Sequence, residues 1–438
     1  MGLQKKYAKL TLDNDLMLTI LKKFFYILFH RPGRLLKKDF RYRVVFILKS
    51  ILPRSKLERG KKSRLYFDVT TIAQYDNKTG VQRVIRSFYK ELQKLIASSS
   101  KYELVPVSCT AFTRGYQALI ILDEFGNFKH THKDIEPING DIFFSLDQAL
   151  IEQLQHAAEL KKFSEKGCRV ILTVYDLLPI QLPDCFPPEV SGIFDQWLKS
   201  MAEFSEFLCD SESVASDTEK YIYENFPQIN HLNIVWFYPG ANFLGNISTT
   251  GITDSQENYL KKTQYFDFNF ILVGTVEPRK GHKVVLDAFK KIWKDGKNVS
   301  LCFIGKKGWM VESLLAEIEE QTKLNDNFFY FSNASDFFLE KAYSCADAVI
   351  ISSKNEGFGL PIIEAAFRNK RIIANDIPIF REVGPKGTYF IDFTNDDTSY
   401  RGLSHFLKKP SSPCHMNILT WESSVKVALD KLNINLYG

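Results

Sequence analysis

Apolar residues recur along the chain with two periods, one typical of strands and one of helices. From about residue 65 onward, short runs rich in β-branched and aromatic residues alternate with longer stretches that have one apolar face. The runs that predict strands are 65–69, 104–107, 141–146, 169–174, 207–209, 235–242, 268–276, 299–305, 328–332, 348–352 and 371–374. Because helix-like segments separate many of them, the pattern predicts an α/β protein with mainly parallel sheets.

Helical periodicity is clearest after the first strand, where Gly80 opens a helix over 81–96 behind turn-forming residues at 76–79. Later in the chain, the pattern predicts helices at 282–295, 336–345 and 417–435. These helices account for much of the chain between the predicted strands.

A polar stretch at 244–266, rich in Gly, Ser, Thr and Asn, interrupts the alternation of strands and helices. We interpret it as a linker, because domain boundaries fall in such segments. The predicted organisation is a first domain at 63–243, a second domain at 267–416, and a C-terminal helix within 417–438. That this helix crosses back to the first domain is implied only by a family resemblance.

Residues 1–62 form a basic N-terminal arm with 17 Lys and Arg against 4 Asp and Glu, a net charge of +13. The formal charge of the whole chain is +6, so the rest carries −7. Segment 14–30 has an amphipathic helical pattern, and 37–52 is a second basic and apolar stretch. This composition is typical of helices that lie on an anionic membrane surface. A helical hairpin packed on the body, or an arm that binds a partner, is also consistent with it.

Composition narrows the function classes. The 438 residues suffice for two domains, and no apolar run approaches the length of a membrane span. Seven scattered Cys without a CxxC pair argue against a disulfide framework or a zinc site and fit a reducing cytosol. Because the basic charge belongs to the arm, the acidic body argues against nucleic-acid binding. Oligomeric state is not indicated by the sequence.

The stretch 350–366 carries the strongest chemical signal. An apolar run leads into Gly357-Phe358-Gly359, and Pro361 suits the first position of a helix. Strand, glycine turn and helix N-terminus together form an anion site. Glu356 ends the strand and Glu364 is predicted in the first helical turn, so both carboxylates face one cleft and can accept hydrogen bonds from hydroxyl groups. An ordinary surface helix with glutamates near its N-terminus is the alternative.

Other charged residues follow predicted strands. Arg279 and Lys280 come directly after 268–276, where a cation pair would bind an anion. Asp176 follows 169–174 and is either an acceptor-orienting residue or base, or the cap of a turn. Ligands of open α/β sheets bind at the carboxyl ends of strands, which places these residues at one cleft.

The stretch 350–366 resembles the Glu-x7-Glu motif of retaining glycosyltransferases of family 4, which have the GT-B fold, and Glu277-Pro-Arg-Lys-Gly281 and Thr79-Gly-Val-Gln-Arg83 resemble further segments of that family. The resemblance implies two Rossmann-like domains facing across a cleft, with the donor bound by the second. The implied catalytic residues are Glu356, Asp176, Lys280 and Arg279. The implied donor-binding residues are Gly80, Arg279, Lys280, Glu356, Gly357, Phe358, Gly359, Leu360 and Glu364. The implied acceptor-side residues are Arg83, Tyr175 and Asp176.

Tyr175 departs from the family, which often has His at this place, and this puts any imidazole role in doubt. The implied reaction moves a hexose or deoxyhexose, such as mannose or rhamnose, from a nucleotide-diphosphate sugar to a hydroxyl of a lipid-linked glycan, with retention of configuration and without a metal or other cofactor. The implied setting is surface-polysaccharide assembly at the inner face of the plasma membrane. A GT-B epimerase or phosphorylase, or a non-catalytic subunit that binds sugar nucleotides, is the alternative.

Overall fold

The computed structural model describes residues 55–74, 79–110, 113–122, 127–229, 231–241, 249–417 and 419–437. The predicted amphipathic segments 14–30 and 37–52 lie outside the described residues. Two sheets, each covered by helices on both faces, make up the described part of the chain. The fold is therefore α/β, as the alternation of strands and helices predicts.

The first sheet has nine described strands in the order β1-β5-β4-β3-β2-β6-β7-β8-β9. Its neighbours are parallel, except that β4 is antiparallel to both β3 and β5. The strands are β1 (Ser55–Lys56), β2 (Ser63–Asp68), β3 (Tyr102–Ser108), β4 (Gln117–Ile121), β5 (Phe128–Asp134), β6 (Ile142–Ser145), β7 (Arg169–Val174), β8 (Glu206–Cys209) and β9 (Ile234–Trp236).

Helices pack on both faces of the first sheet. They are α1 (Thr70–Gln74), α2 (Gly80–Ala97), α3 (Leu150–Gln155), α4 (Ala157–Glu165), α5 (Leu178–Gln181), α6 (Pro188–Ala202) and α7 (Glu212–Asn225), with a 3-10 turn at Pro183–Cys185. Side chains of β2 alternate between the faces: Phe67 packs with Phe88 of α2, whereas Tyr66 belongs to the core that holds Trp197 of α6. This period of two is what a strand buried on both faces requires.

The second sheet is parallel throughout its six described strands, in the order β12-β11-β10-β13-β14-β15. They are β10 (Phe268–Val273), β11 (Val299–Ile304), β12 (Phe328–Phe331), β13 (Ala348–Ile351), β14 (Arg371–Asn375) and β15 (Tyr389–Ile391). The strand order reverses between β10 and β13. Such a switch point opens a crevice at the carboxyl ends of the two strands, where ligands of doubly wound sheets bind.

The helices around the second sheet are α8 (Asp254–Lys262), α9 (His282–Lys294), α10 (Glu312–Leu324), α11 (Asp336–Cys345), α12 (Leu360–Phe367), α13 (Pro378–Val383) and α14 (Asp396–Lys408), with 3-10 turns at Thr263–Tyr265 and Pro278–Lys280. On β10, Ile271 faces the core that contains α11 and α12, whereas Phe270 and Leu272 face the core beneath α9 and α14. Both sides of this strand are buried, as its unbroken apolar run predicts.

The last helix, α15 (Trp421–Lys431), packs into the core of the first sheet. Val425 and Leu429 lie in the same cluster as Phe88 and Leu92 of α2. The chain therefore returns to its first half after completing the second sheet. The predicted domain limits, 63–243 and 267–416, stay predictions; the described strands of the two sheets come from 55–236 and 268–391.

Two boundaries differ from the sequence-based expectation. The arm predicted over 1–62 overlaps the first sheet, because Ser55–Lys56 pairs with β5 and Arg59 forms two hydrogen bonds with Asp141, at 3.0 and 2.8 Å. The linker predicted over 244–266 contains α8, which buries Tyr259 against the second sheet. A two-residue strand has no detectable period, and a helix with one anchoring aromatic residue has a polar composition.

Among the described residues, no helix combines the length and the apolar composition needed to cross a lipid bilayer.

Candidate active site

We call the part of the protein built on the first sheet its first half and the part built on the second sheet its second half. A cavity of about 490 Å³ lies between the two halves, and residues of both line it. The second sheet contributes the turns after β10 and β13, and the first sheet contributes the residues after β7 and β8. The cavity therefore lies at the switch point of the second sheet. Larger cavities, of about 760 and 610 Å³, lie beside α2 and α15 and collect no comparable set of acidic and basic side chains.

Glu356 is the centre of the charged network in this cavity. Its carboxylate forms an ion pair with Arg279, at 2.9 Å from Nη1 to Oε2, and another with Nζ of Lys280. The hydroxyl of Ser353 donates to Oε1 at 2.6 Å. Arg279 also pairs with Glu277, at 2.8 Å. The two cations predicted after β10 and the glutamate predicted after β13 thus meet directly, because β10 and β13 are neighbouring strands.

Burial and ion pairing act against each other in this network. Burial favours the neutral form of Glu356, yet Lys280 and Arg279 outweigh it and lower the pKa of this carboxyl to about 2. Burial also disfavours the charged form of Arg279, but Glu356 and Glu277 raise the pKa of its guanidinium. Glu356 and Arg279 are therefore charged at neutral pH, and Arg279 and Lys280 line the crevice.

The glycine turn brings the second half against the first. A Cβ atom on Gly357 would stand 1.8 Å from the carbonyl oxygen of Tyr175, so no other residue fits without movement. Gly359 has a φ of +80°, in the left-handed region, and caps α12. The turn thus permits close contact between the main chains of the two halves. Close approach of this turn to a ligand, which the sequence predicts, stays a prediction.

Two positional details of the motif differ from the prediction. Because Gly359 is the N-cap of α12, Leu360 takes the first helical position and Pro361 the second. Glu364 therefore lies in the second turn of α12, whereas the sequence predicts it in the first turn. Its side chain is nonetheless largely buried and lines the cavity, because helical side chains lean toward the N-terminus.

Glu364 forms an ion pair across the cleft with Arg83 of α2, at 3.4 Å from Oε1 to Nη2. The loop before α2 lies close to the same place, since a Cβ on Gly80 would stand 3.5 Å from Cδ1 of Leu360. Arg83, predicted on the acceptor side, thus contacts a predicted donor-binding residue. The capping box formed by Thr79 and Gln82 explains why α2 begins at Gly80.

Tyr175 differs from its predicted acceptor-side role. Its side chain is buried in the core of the first sheet, and its hydroxyl donates to the carbonyl of Leu146 at 2.9 Å. Its main-chain carbonyl faces Gly357 in the second half. The phenol of Tyr175 is hydrogen-bonded in the core, so the main chain is the part of this residue that meets the glycine turn.

Asp176 lines the cavity and also caps a turn, since the amide of Leu178 donates to its Oδ1 at 3.1 Å. Burial raises the pKa of its carboxyl, while Arg279 opposes this effect. Both interpretations of Asp176 therefore keep structural support. Phe358 has a buried ring that packs on Tyr238 with 5.7 Å between centroids, so its side chain serves contact between the halves.

Sequence reasoning missed three acidic residues at the cleft. Glu277 is buried and pairs with Arg279. Glu382, at the end of α13, accepts hydrogen bonds from the amides of Glu212 and Ser213 in the first half, at 2.8 and 2.9 Å. Asp210 follows β8, lines the cavity and is 5% exposed. Its place in the sequence could have identified Asp210 as a site residue. Asp210 and Asp176 both follow strands whose carboxyl ends meet at one edge of the sheet.

The sequence of this chain is similar to those of known glycosyltransferases. Residues 255–418 match the family described as "Glycosyl transferases group 1". The chain is 32% identical over 385 residues to the serotype-specific mannosyltransferase WbdA of Escherichia coli, covering 85% of this chain and 45% of that protein. It is 25% identical over 248 residues to the O-antigen chain mannosyltransferase RfbU of Salmonella typhimurium, covering 56% of this chain and 63% of that protein.

Residues 255–418 are thus similar to the group 1 glycosyltransferase family, and the chain is similar to O-antigen mannosyltransferases. It spans about half the length of the WbdA proteins that it matches.

Solved structures show the fold. HepE of Anabaena in complex with UDP and glucose aligns over 85% of this chain and 97% of its own, with 13% identity and a TM-score of 0.52. Sucrose-phosphate synthase of Thermosynechococcus elongatus aligns over 85% and 94%, with 11% identity and a TM-score of 0.52. The architecture is therefore the GT-B fold of glycosyltransferases, as the resemblance of the sequence implies.

Proposed function

We propose that this protein transfers mannose from a nucleotide-diphosphate sugar to a hydroxyl group of a lipid-linked glycan during synthesis of an O-antigen-type surface polysaccharide. The observation that carries the proposal is the cation pair Arg279 and Lys280, held by Glu356 at the switch point of the second sheet. These cations would bind the diphosphate of the donor. The similarity of the chain to mannosyltransferases supports mannose as the transferred sugar.

The chemistry follows from the charges. The bond between the anomeric carbon and the diphosphate oxygen breaks, the acceptor oxygen bonds to that carbon, and the acceptor proton moves to the leaving diphosphate. Negative charge grows on the diphosphate as the bond breaks, and Arg279 and Lys280 stabilise that charge. Glu364 would accept hydrogen bonds from hydroxyls of the donor. We propose retention of configuration and no requirement for a metal ion.

The test begins with a thermal-shift panel of guanosine, uridine and thymidine diphosphate sugars on the full chain, because a ligand that binds the native state raises its melting temperature. The selected mannose donor is then incubated with a panel of octyl glycosides in buffer with EDTA. We expect a mannosylated product whose anomeric configuration, read by proton NMR, equals that of the donor. Binding of a donor without transfer to any acceptor would favour the alternative of a non-catalytic subunit that binds sugar nucleotides, and failure of every donor to bind would contradict the proposal.

Variants connect the activity to the site. We expect Lys280→Ala and Glu364→Ala each to weaken donor binding about tenfold or more, because each removes a charged hydrogen-bonding group. Calorimetry with the selected nucleotide sugar measures this, with the exposed Glu203→Ala as the control. Unchanged donor affinity in both variants would contradict the assignment. Release of free sugar without an acceptor would indicate an epimerase, and dependence on inorganic phosphate would indicate a phosphorylase.

The basic arm at 1–62 motivates a second proposal, that the protein binds anionic membrane surfaces. Flotation of the full chain with vesicles containing phosphatidylglycerol measures this binding. We expect co-flotation that falls as salt is raised, and absence from the vesicle fraction during active transfer to a soluble acceptor would refute the membrane proposal alone.

A further inference from the structure

We propose that Asp210 binds the acceptor sugar, one of whose hydroxyl groups donates a hydrogen bond to Oδ1 of its carboxylate. This inference rests on the proposed function and names a substrate contact for the same site. It starts from an unusual side chain. Asp210 is 5% exposed, its Oδ1 is buried, and that oxygen has no hydrogen-bond partner among the residues that the structure describes. Buried polar atoms are almost always hydrogen-bonded, so an exception in a cleft indicates a missing partner.

Asp210 lies close to the residues that we propose for the reaction. It follows β8, whose pairing with β7 aligns Cys209 with Val174, so that Asp210 and Asp176 end adjacent strands. Its Oδ2 lies 3.2 Å from the place where a Cβ on Gly357 would stand. Asp210 therefore lies against the glycine turn that follows Glu356, and it lines the same cavity as Arg279 and Lys280.

The kinds of side chain on the two sides of the cavity assign Asp210 to the acceptor. The second half offers Arg279 and Lys280, which suit a diphosphate. In the first half, Arg83 is paired with Glu364, whereas the carboxyl groups of Asp176 and Asp210 can accept hydrogen bonds from hydroxyls. A neutral sugar rich in hydroxyls fits that side. Oδ1 of Asp176 already accepts the amide of Leu178, whereas Oδ1 of Asp210 has no partner among the described residues.

The experiment uses the full chain and whichever octyl glycoside supports transfer by the wild type. Asp210→Leu keeps the branched shape of the side chain but is larger and removes the hydrogen-bond acceptor, and Asp210→Asn keeps both the size and an uncharged acceptor oxygen. We expect Asp210→Leu to raise the KM for the acceptor about 5- to 150-fold, because it leaves a sugar hydroxyl without its acceptor, and Asp210→Asn to raise it less, because its amide oxygen can still accept that hydrogen bond. Donor affinity and the rate of donor hydrolysis without acceptor should stay within about twofold. Asp217→Asn, exposed on α7, is the matched control.

Deoxygenated acceptors provide a second readout that a structural role would not change. Among glycosides that each lack one hydroxyl, one should lose activity with the wild type and lose little more with Asp210→Leu, because the two changes remove the same hydrogen bond. An unchanged acceptor KM, additive losses for every deoxy acceptor, or loss of donor binding in both variants would each overturn the assignment. Absence of transfer by the wild type would instead reject the proposed function on which this inference depends.

Discussion

At the residue scale, the site is organised around one carboxylate with two cations. Glu356 lies after β13, and Arg279 and Lys280 lie after β10. The ion pairs therefore join residues that are distant in the chain, since Glu356 is 77 positions from Arg279 and 76 from Lys280. Without the pairing, a buried glutamate would be protonated; with it, the pKa of Glu356 falls to about 2. The carboxylate of Glu356 thus holds both cations in place.

This network makes stability depend on pH. The pKa of Glu356 is lower in the folded protein than its ordinary value of 4.5, so its ion pairs stabilise the fold above about pH 4.5 and lose that effect as pH falls toward 2. We expect Glu356→Gln to unfold at a lower urea concentration than the wild type at pH 7, because its free energy of unfolding is lower by up to about 3 kcal/mol. This difference in free energy should shrink between pH 5 and pH 3. The exposed Glu203→Gln is the control, and a difference that grows in acid would contradict this account.

At the element scale, several structural features have no clear sequence signal. The hairpin β4–β5 was not predicted, because β5 is polar along its length and none of its residues is fully buried. By contrast, Thr79 and Gln82 satisfy a capping pattern that is visible in the sequence, and the predicted start of α2 is confirmed. Asp210 was missed because an aspartate before a helix predicts a cap as readily as a ligand; only its burial distinguishes the two.

Helix α7 in the first half is capped by a residue of the second. The first amides of an α-helix lack partners within it, and Glu382 of α13 accepts two of them, from Glu212 and Ser213. We expect Glu382→Ala to remove this cap, at a cost of about 1 kcal/mol, and to speed deuterium exchange of these amides about fivefold. Asp376→Ala, which breaks only an exposed pair with Arg381, should leave that exchange unchanged. Equal exchange in both variants would show that Glu382 does not hold the halves together.

At the scale of the whole molecule, the chain closes on itself at Gly240. The segment after β9 lies directly against the start of α15: the amide of Ala241 donates to the carbonyl of Leu419 at 2.9 Å, and the hydroxyl of Ser424 donates to that of Tyr238 at 2.6 Å. The amphipathic period of 417–435 predicts a helix, but only the structure shows that its apolar face completes the core of the first sheet. Periodicity identifies a buried face without identifying what buries it.

This closure has little room for a larger residue. A Cβ on Gly240 would stand 2.6 Å from the main-chain nitrogen and Cα of Trp421, so α15 must shift to accept Gly240→Ala. We expect that variant to lose about 1–3 kcal/mol, the usual cost of overpacking, and to melt at a lower temperature. Gly192→Ala is the matched control, because Gly192 is exposed within α6, a Cβ there meets nothing within 4 Å, and alanine favours helices over glycine by about 1 kcal/mol. If Gly240→Ala melts with the wild type while Gly192→Ala is stabilised, α15 adapts at no cost, and it packs on the first sheet less tightly than its contacts indicate.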